Sequence, residues 1–410
     1  MTICWITPLL GTAPALSVSK DADLNIIDVR DLVDKAGNRA DSVFNKINEG
    51  CESLRAGYKT VVCCDYGISR SNAIAVGILA VYEAISFEKA VRRVLEATGE
   101  KEIKVEPLQA VRRALKQDKT STRHDKCHLL VTGAAGFLGK AISLALAEKF
   151  SIFTPSRMEL DLQQGSTQLA LFVGENEIDS IIHLANPRVY TSNIALGETL
   201  TMLRNVVDVC VARDVKLAYM SGWEVYSGYR SSHLIADESL PLFPKGPYAE
   251  TKYLCEILIE NCRRTQGLRC ALLRSSPVYG VGGDKPKFIY NFIDKVSRSQ
   301  RIVTHSYENG SPALDLLYID DLVAAVMQVI TTDFSGDLNI GTGVVTSTPR
   351  IAELLRNFLG GHGDIDTTRI DGDTVCIAMD ASKANKVLGW KAKVGIEQGL
   401  QLILSNLKSN

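Results

Sequence analysis

From residue 127 onward, short apolar runs of strand character alternate with longer helical stretches: HLLVTG (128–133), SIFTPS (151–156), SIIHLA (180–185), KLAYMS (216–221) and RCALLRSS (269–276). Strands this uniformly apolar are buried on both faces, which requires a parallel sheet covered by helices on each side. A chain of 410 residues exceeds one ordinary domain and fits two. The segment KQDKTSTRHDK (116–126) is polar and without apolar period, and it reads as a linker between a domain at 1–115 and one at 127–410. Ahead of it the pattern predicts a strand at 25–30 (NIIDVR), a helix over Ala40–Arg55, a strand ending at Cys63, and helices over 71–84, 87–97 and 106–115.

Composition narrows the function classes. With 46% hydrophobic and 23% charged residues and a net charge of −1, the chain has no basic stripe for nucleic acid or anionic membrane. The apolar run after Cys64 is about ten residues, against roughly 20 for a membrane span. The first 19 residues hold no Lys or Arg, so no secretory signal is expected. Ten scattered cysteines, without a Cys-x-x-Cys pair or a His cluster, form neither a disulfide framework nor a zinc site. The expected compartment is the cytoplasm, with no metal.

One stretch of the first domain can carry chemistry. In VVCCDYGISRS (61–71) an apolar run ends at Cys64, Gly67 follows in a short loop, and Arg70 and Ser71 open the helical stretch SNAIAVGILAVYEA. Strand, tight loop and helix N-terminus form a cradle whose backbone N–H groups can hold an oxyanion. A helix N-terminus and a guanidinium lower a cysteine pKa, and an Arg fork grips two phosphoryl oxygens. Gly67 lets the loop turn its N–H groups inward.

CCDYGISRS resembles the signature of the dual-specificity, cysteine-dependent phosphatases, and SFEKAVRRVLEATGEKEIKVEPLQAVRRAL resembles that family's closing helices, so the likeness covers about residues 1–115. It implies a protein-tyrosine-phosphatase-like α/β domain with Cys64 as nucleophile, Arg70 on the phosphate and Ser71 easing release of the thiolate. An acid must protonate the leaving oxygen. DVRDLVDKAGN offers Asp34, favoured by the form D-x-x-G-N, with Asp31 in reserve. Where the family usually has His before the nucleophile this chain has Cys63, so a phosphate-binding module without turnover stays open.

In the second domain, VTGAAGFLGKAISLALAEKF gives a strand, then Gly133, Gly136 and Gly139, then a helix. That is the context in which a pyrophosphate sits on a helix N-terminus. PYAETKYLCE places Tyr248 and Lys252 four apart, on one helical face. A lysine there can lower the phenol pKa and bond a ribose, and the tyrosine can act as acid or base at a carbonyl or alcohol.

With HLAN (183–186), MSGWEVYSG (220–228), LRSSPVYG (273–280), ALDLLYIDDL (313–322), LNIGTG (338–343) and ASKANKVLGW (381–390), these motifs resemble the extended short-chain dehydrogenase/reductases, the epimerases and dehydratases of nucleotide sugars, over about residues 127–408. The resemblance implies a Rossmann-type doubly wound parallel sheet with a small C-terminal substrate lobe. It implies a cofactor site of Gly133, Gly136, Phe137, Leu138, Gly139, Leu184, Ala185, Tyr248 and Lys252. It also implies a Ser or Thr hydroxyl on the reacting oxygen, four residues before the tyrosine of the V-Y-G-like stretch. That position is Gly222 here. Ser221, one residue earlier, is the candidate substitute if the loop is turned, or a cofactor contact only. Trp223 replaces the aspartate of the 4,6-dehydratases although Glu224 is kept, which disfavours dehydration and leaves epimerisation or reduction. In SIFTPSRMELDL, Ser156 and Arg157 suit a 2′-phosphate. NADP is therefore expected ahead of NAD, with Asp161 and Leu162 flanking the adenine.

The expectation is a bifunctional homodimer, a phosphatase joined to a nucleotide-sugar epimerase or reductase. It would act on small phosphorylated and sugar-type substrates in carbohydrate or cell-surface polysaccharide metabolism. Two alternatives stand beside it: a regulatory, phosphoprotein-directed first domain, and a second domain that binds cofactor without turnover.

Overall fold

The computed structural model describes residues 3–18, 24–35, 37–115, 126–187, 189, 192–284, 286–361 and 363–409. Residues 116–125 of the expected linker lie outside them. The chain forms two compact units, one of residues 1–127, 156–178 and 205–215, the other of 128–155, 179–204 and 216–410.

Up to residue 115 the elements are β1 (Cys4–Trp5), β2 (Leu10–Pro14), β3 (Leu24–Asp28), α1 (Ala40–Arg55), β4 (Lys59–Cys64), α2 (Arg70–Tyr82), α3 (Phe87–Thr98) and α4 (Val105–Ala114). They build a four-stranded sheet of order β1-β2-β4-β3. β2 and β3 both run parallel to the inner strand β4, and β1 closes the edge antiparallel to β2. Val61 and Val62 of β4 are wholly buried, as a strand with a neighbour on each side requires. Helix α1 buries Val43, Ile47, Cys51 and Leu54, a single stripe at helical spacing. Helix α2 buries every residue from Ser71 to Ala80, so it is packed all round and its N-terminus is fixed where β4 ends.

The remaining elements in chain order are β5 (His128–Thr132), α5 (Phe137–Leu146), β6 (Ser151–Phe153), α6 (Ser166–Glu175), β7 (Ser180–His183), α7 (Asn193–Arg213), β8 (Lys216–Gly222), β9 (Leu234–Ala236), α8 (Pro247–Gln266), β10 (Cys270–Ser275) and β11 (Val278–Tyr279). They continue with α9 (Lys287–Ser297), β12 (Ile302–Ser306), β13 (Ala313–Asp315), β14 (Leu317–Tyr318), α10 (Ile319–Thr331), β15 (Gly336–Ile340), β16 (Val345–Ser347), α11 (Thr348–Leu359), β17 (Ile365–Arg369), β18 (Ile377–Met379), α12 (Ser382–Leu388) and α13 (Ile396–Ser409).

Six strands form one wholly parallel sheet, β15-β10-β8-β7-β5-β6, a Rossmann-like α/β architecture. From β5 the chain moves outward to β6, then crosses back to β7 on the opposite side of β5. The strand order therefore reverses beside β5, and ligands of open α/β sheets bind at such a reversal, beyond the carboxyl ends of the strands. A smaller sheet, β16-β13-β18-β9, and the pairs β11–β14 and β12–β17 complete this unit.

Candidate functional site

The first candidate site stands on the end of β4. Its loop runs from Cys64 to Ser69, and α2 begins at Arg70. Gly67 holds φ at +74°, and a Cβ there would stand 2.5 Å from the Pro14 nitrogen and 2.6 Å from the Ala13 carbonyl carbon of β2, so only glycine fits. The turn brings the Gly67 N–H to the Cys64 Sγ at 3.2 Å, and the Ser71 Oγ stands 3.3 Å from the same sulfur. Burial alone would raise the Cys64 pKa. Hydrogen bonds from the Ser71 hydroxyl and from the Ser71, Gly67 and Tyr66 N–H groups outweigh it and bring the thiol below its ordinary value.

Arg70 is held on several sides. Its Nη1 donates to the Leu32 carbonyl at 2.8 Å and the Arg30 carbonyl at 3.3 Å, and its Nη2 pairs with the Asp65 carboxylate. Its Nε faces Asp34 Oδ1 at 3.6 Å, and Lys104 Nζ stands 3.4 Å from the other Asp34 oxygen. Of the two carboxylates weighed from the sequence, the structure brings Asp34 to Arg70 and leaves Asp31 beside Lys46, 3.7 Å away.

The second candidate site lies at the sheet's order reversal. A cavity of about 670 Å³ is lined by Gly133, Gly136, Phe137, Leu138 and Gly139, by Leu184, and by Tyr248 and Lys252. Gly133 adopts φ +73° and passes so close to the end of β7 that a Cβ would stand 2.7 Å from the Ala185 nitrogen and 2.8 Å from the Leu184 carbonyl carbon. Gly136 caps α5 without a side chain, so the helix's first N–H groups meet the cavity. These residues suit a dinucleotide pyrophosphate, with a bare helix terminus and a backbone cradle that no Cβ obstructs.

Helix α8 sets Tyr248, Lys252 and Glu256 on one face at intervals of four. Tyr248 lines the cavity, while Lys252 is buried and its Nζ donates to the Met220 carbonyl at 2.9 Å, 5.7 Å from the Tyr248 ring centre. Desolvation lowers the Lys252 pKa, against the pull of Cys255, Glu224 and Glu256. His183 sits beneath, its Nδ1 2.8 Å from the Thr132 hydroxyl. Burial, then the Lys252 charge, take its pKa down to about 3, so it is neutral.

Ser221, the expected substitute hydroxyl, lines the same cavity. It donates to the Glu256 carboxylate, which in turn accepts from Arg274 Nη2 at 2.9 Å and Nε at 3.1 Å. Arg274 also meets Asp337 at 3.1 Å, and Arg263 meets Asp337 at 2.6 Å. The Ser221 hydroxyl thus ties the cavity wall to this buried ion-pair network. Ser156, Arg157, Asp161 and Leu162 belong to the segment 156–178 of the first unit. Arg157 is exposed there, its Nε 3.4 Å from Asp161 and its Nη2 3.3 Å from Gln163, so part of the cationic character expected of it is already matched.

The cavity also recruits residues that sequence reasoning did not place in it: Asn186, Glu224, Ser275, Ser276, Asp284 and Lys287. Asn186 and the two serines lie inside the quoted marks HLAN and LRSSPVYG, so a signal for them was present.

The family described as NAD dependent epimerase/dehydratase matches residues 129–341, more than half of the chain. The chain belongs to the NAD dependent epimerase/dehydratase family. Its relatives there include a Methanocaldococcus jannaschii protein provisionally named a UDP-glucose 4-epimerase, 28% identical over 69% of this chain and 99% of its own length. Another is the UDP-glucuronate 4-epimerase of Thermodesulfobacterium geofontis, 29% identical over 57% of this chain and 73% of its own. The crystal structure of the Thermus thermophilus UDP-glucose 4-epimerase with NAD superposes with a TM-score of 0.60 at 21% identity, over 68% of this chain and 99% of that one. That likeness establishes the fold of this epimerase/dehydratase family member. Among the described residues no helix is long and apolar enough to cross a membrane.

Proposed function

We propose that the family domain is a nicotinamide-dependent epimerase or reductase of nucleotide sugars. The observation that carries this reading is the convergence of the glycine loop, the bare N-terminus of α5, Tyr248 and Lys252 on one cavity at the sheet's order reversal. Gly133, Gly136 and the first turn of α5 would hold the pyrophosphate, and Lys252 would orient the ribose end. When bound, the dinucleotide supplies a hydride acceptor and donor. Tyr248 would hold the proton that the sugar oxygen gains or loses, and Lys252, fixed by Met220, would favour the phenolate form electrostatically. NAD is the cofactor in the Thermus relative's crystal. NADP remains the alternative, resting on Ser156 and Arg157, with Asp161 and Leu162 at the adenine. UDP-glucose and UDP-glucuronate are the first substrates to test, as the relatives' names suggest. Tyr248→Phe is expected to slow hydride transfer by several orders of magnitude with dinucleotide affinity kept, and an unchanged rate would dismiss the reading.

For residues 1–115 we infer a cysteine-dependent phosphatase site, with the domain boundaries at 115 and 127. The lowered pKa of Cys64 and the gathering of Ser71, Gly67, Arg70 and Asp34 around the loop support it. Cys64 would attack phosphorus, Arg70 would grip the phosphoryl oxygens, Asp34 would protonate the leaving oxygen, and Ser71 would ease thiolate release. Cys64→Ser is expected to abolish hydrolysis of an aryl phosphate. Asp34→Asn is expected to slow poor leaving groups far more than good ones. Full hydrolysis by the Cys64→Ser protein would remove the thiol mechanism, and no hydrolysis by the parent would leave the phosphate-binding reading.

A further inference from the structure

Position 222 has no side chain, yet the space over its Cα is filled. A Cβ built on Gly222 would collide with the Glu224 Oε2, so that carboxyl group stands where the side chain of residue 222 would begin. Gly222 and Glu224 line the same cavity as Tyr248 and Lys252. Of the serine hydroxyls that line it, that of Ser221 is engaged elsewhere. Ser221 donates to Glu256, whereas the Ser276 hydroxyl, which also lines the cavity, is buried with no hydrogen-bond partner among the described residues.

We propose that Glu224 is the second hydrogen-bond donor to the reacting oxygen of the substrate, occupying in this chain the place of a side chain at position 222. This rests on the reading of the cavity as a hydride-transfer site. When a sugar alcohol is oxidised, its carbon gives a hydride, two electrons and a proton, to the nicotinamide dinucleotide. Its oxygen gives a proton to the Tyr248 phenolate, and the C–O single bond becomes a carbonyl. Glu224 donates to that oxygen throughout and neither gains nor loses a proton. A donor must be neutral, and desolvation does raise the Glu224 pKa, against a hydrogen bond from its own backbone N–H and the Lys252 charge. In this role Glu224 is a fixed dipole at the developing charge, where removing one such donor costs about 10²–10³ in rate.

The test uses the full chain loaded with NAD and the sugar nucleotide, UDP-glucose or UDP-glucuronate, that gives the faster nicotinamide fluorescence change. Glu224→Ala is expected to lower the rate of hydride transfer about 10²-fold, with dinucleotide affinity unchanged. Glu224→Gln, which keeps an N–H donor, is expected to stay within about tenfold of the parent. Gly222→Ser combined with Glu224→Ala puts a hydroxyl into the vacated space and is expected to recover most of the loss. Damage in Glu224→Gln equal to that in Glu224→Ala, with no recovery in the double variant, would overturn the donor role in favour of an ionised base. Infrared spectra of protein carrying ¹³C-labelled glutamate give a readout independent of turnover. A neutral-carboxyl band at neutral pH that vanishes in Glu224→Gln is expected, and its absence from the parent would overturn the proposal even if neither sugar is turned over. No hydride transfer by the parent chain, with that band present, would instead count against the hydride-transfer reading.

Discussion

Gly133→Ala tests the glycine loop through two separable effects. At φ +73° a side chain costs about 1–2 kcal/mol. The new Cβ would also stand 2.7 and 2.8 Å from backbone atoms at the end of β7, which cannot rotate aside as a side chain can. Crowding of that kind costs about 1–3 kcal/mol, and the stiffer unfolded chain returns about 0.4–1 kcal/mol. The net destabilisation is about 2–4 kcal/mol, a fall in melting temperature of about 5–15 °C for a unit of this size. Gly267→Ala is the control, because residue 267 has φ +70° with nothing within 4 Å of its Cβ. It carries the dihedral cost alone. Calorimetric scans of both variants beside the parent, with a fluorescence titration of NAD, should show Gly133→Ala falling clearly further and losing cofactor, and Gly267→Ala keeping it. Equal melting temperatures in the two variants would refute the close approach of the loop to β7.

Iodoacetamide should label Cys64 at lower pH than Cys63, as read by peptide mapping across a pH series, because hydrogen bonds lower the first thiol while burial, then Asp28, raises the second. The lowered folded-state value also means that Cys64 ionisation favours the fold above the unfolded thiol's pKa, and that this contribution is lost as pH falls through the folded value. Glu256→Ala should destabilise by about 3 kcal/mol in urea unfolding, the lower end for a broken buried pair because Asp337 still meets Arg274. Replacing both partners by Leu and Met should lie much closer to the parent. Arg157→Asp should shift preference from NADP toward NAD in paired titrations, and equal affinity ratios before and after would exclude that segment from cofactor choice.

Helix α1 spans the residues its apolar stripe predicts, and the marks HLAN, MSGWEVYSG and LNIGTG fall at the ends of β7, β8 and β15. Periodicity and chain order carry that much, since both are local. Strands β1 and β2 escaped the reading, because LGTAP has no alternation and holds Gly11 and Pro14. It is a strand only through its register on β4. The orientation of Ser221 was equally hidden. It depends on a glutamate 35 residues away, drawn inward by Arg274. A missing hydroxyl at 222 was legible, but not that Glu224 folds back over it, since that depends on the short helical turn after β8.

The pleat of β4 decides what oxidants can do to this protein. Adjacent strand residues point to opposite faces, so Cys63 and Cys64 send their sulfurs apart although they are neighbours in the chain. A disulfide needs its Cβ atoms about 4 Å apart and turned toward each other, and an intact β4 holds these two turned away. If peroxide converts the Cys64 thiolate to a sulfenic acid, Cys63 cannot resolve it. Recovery then falls to a small thiol able to enter the loop or to a backbone nitrogen that closes a sulfenamide, and without either the sulfur moves on toward the irreversible sulfinic state.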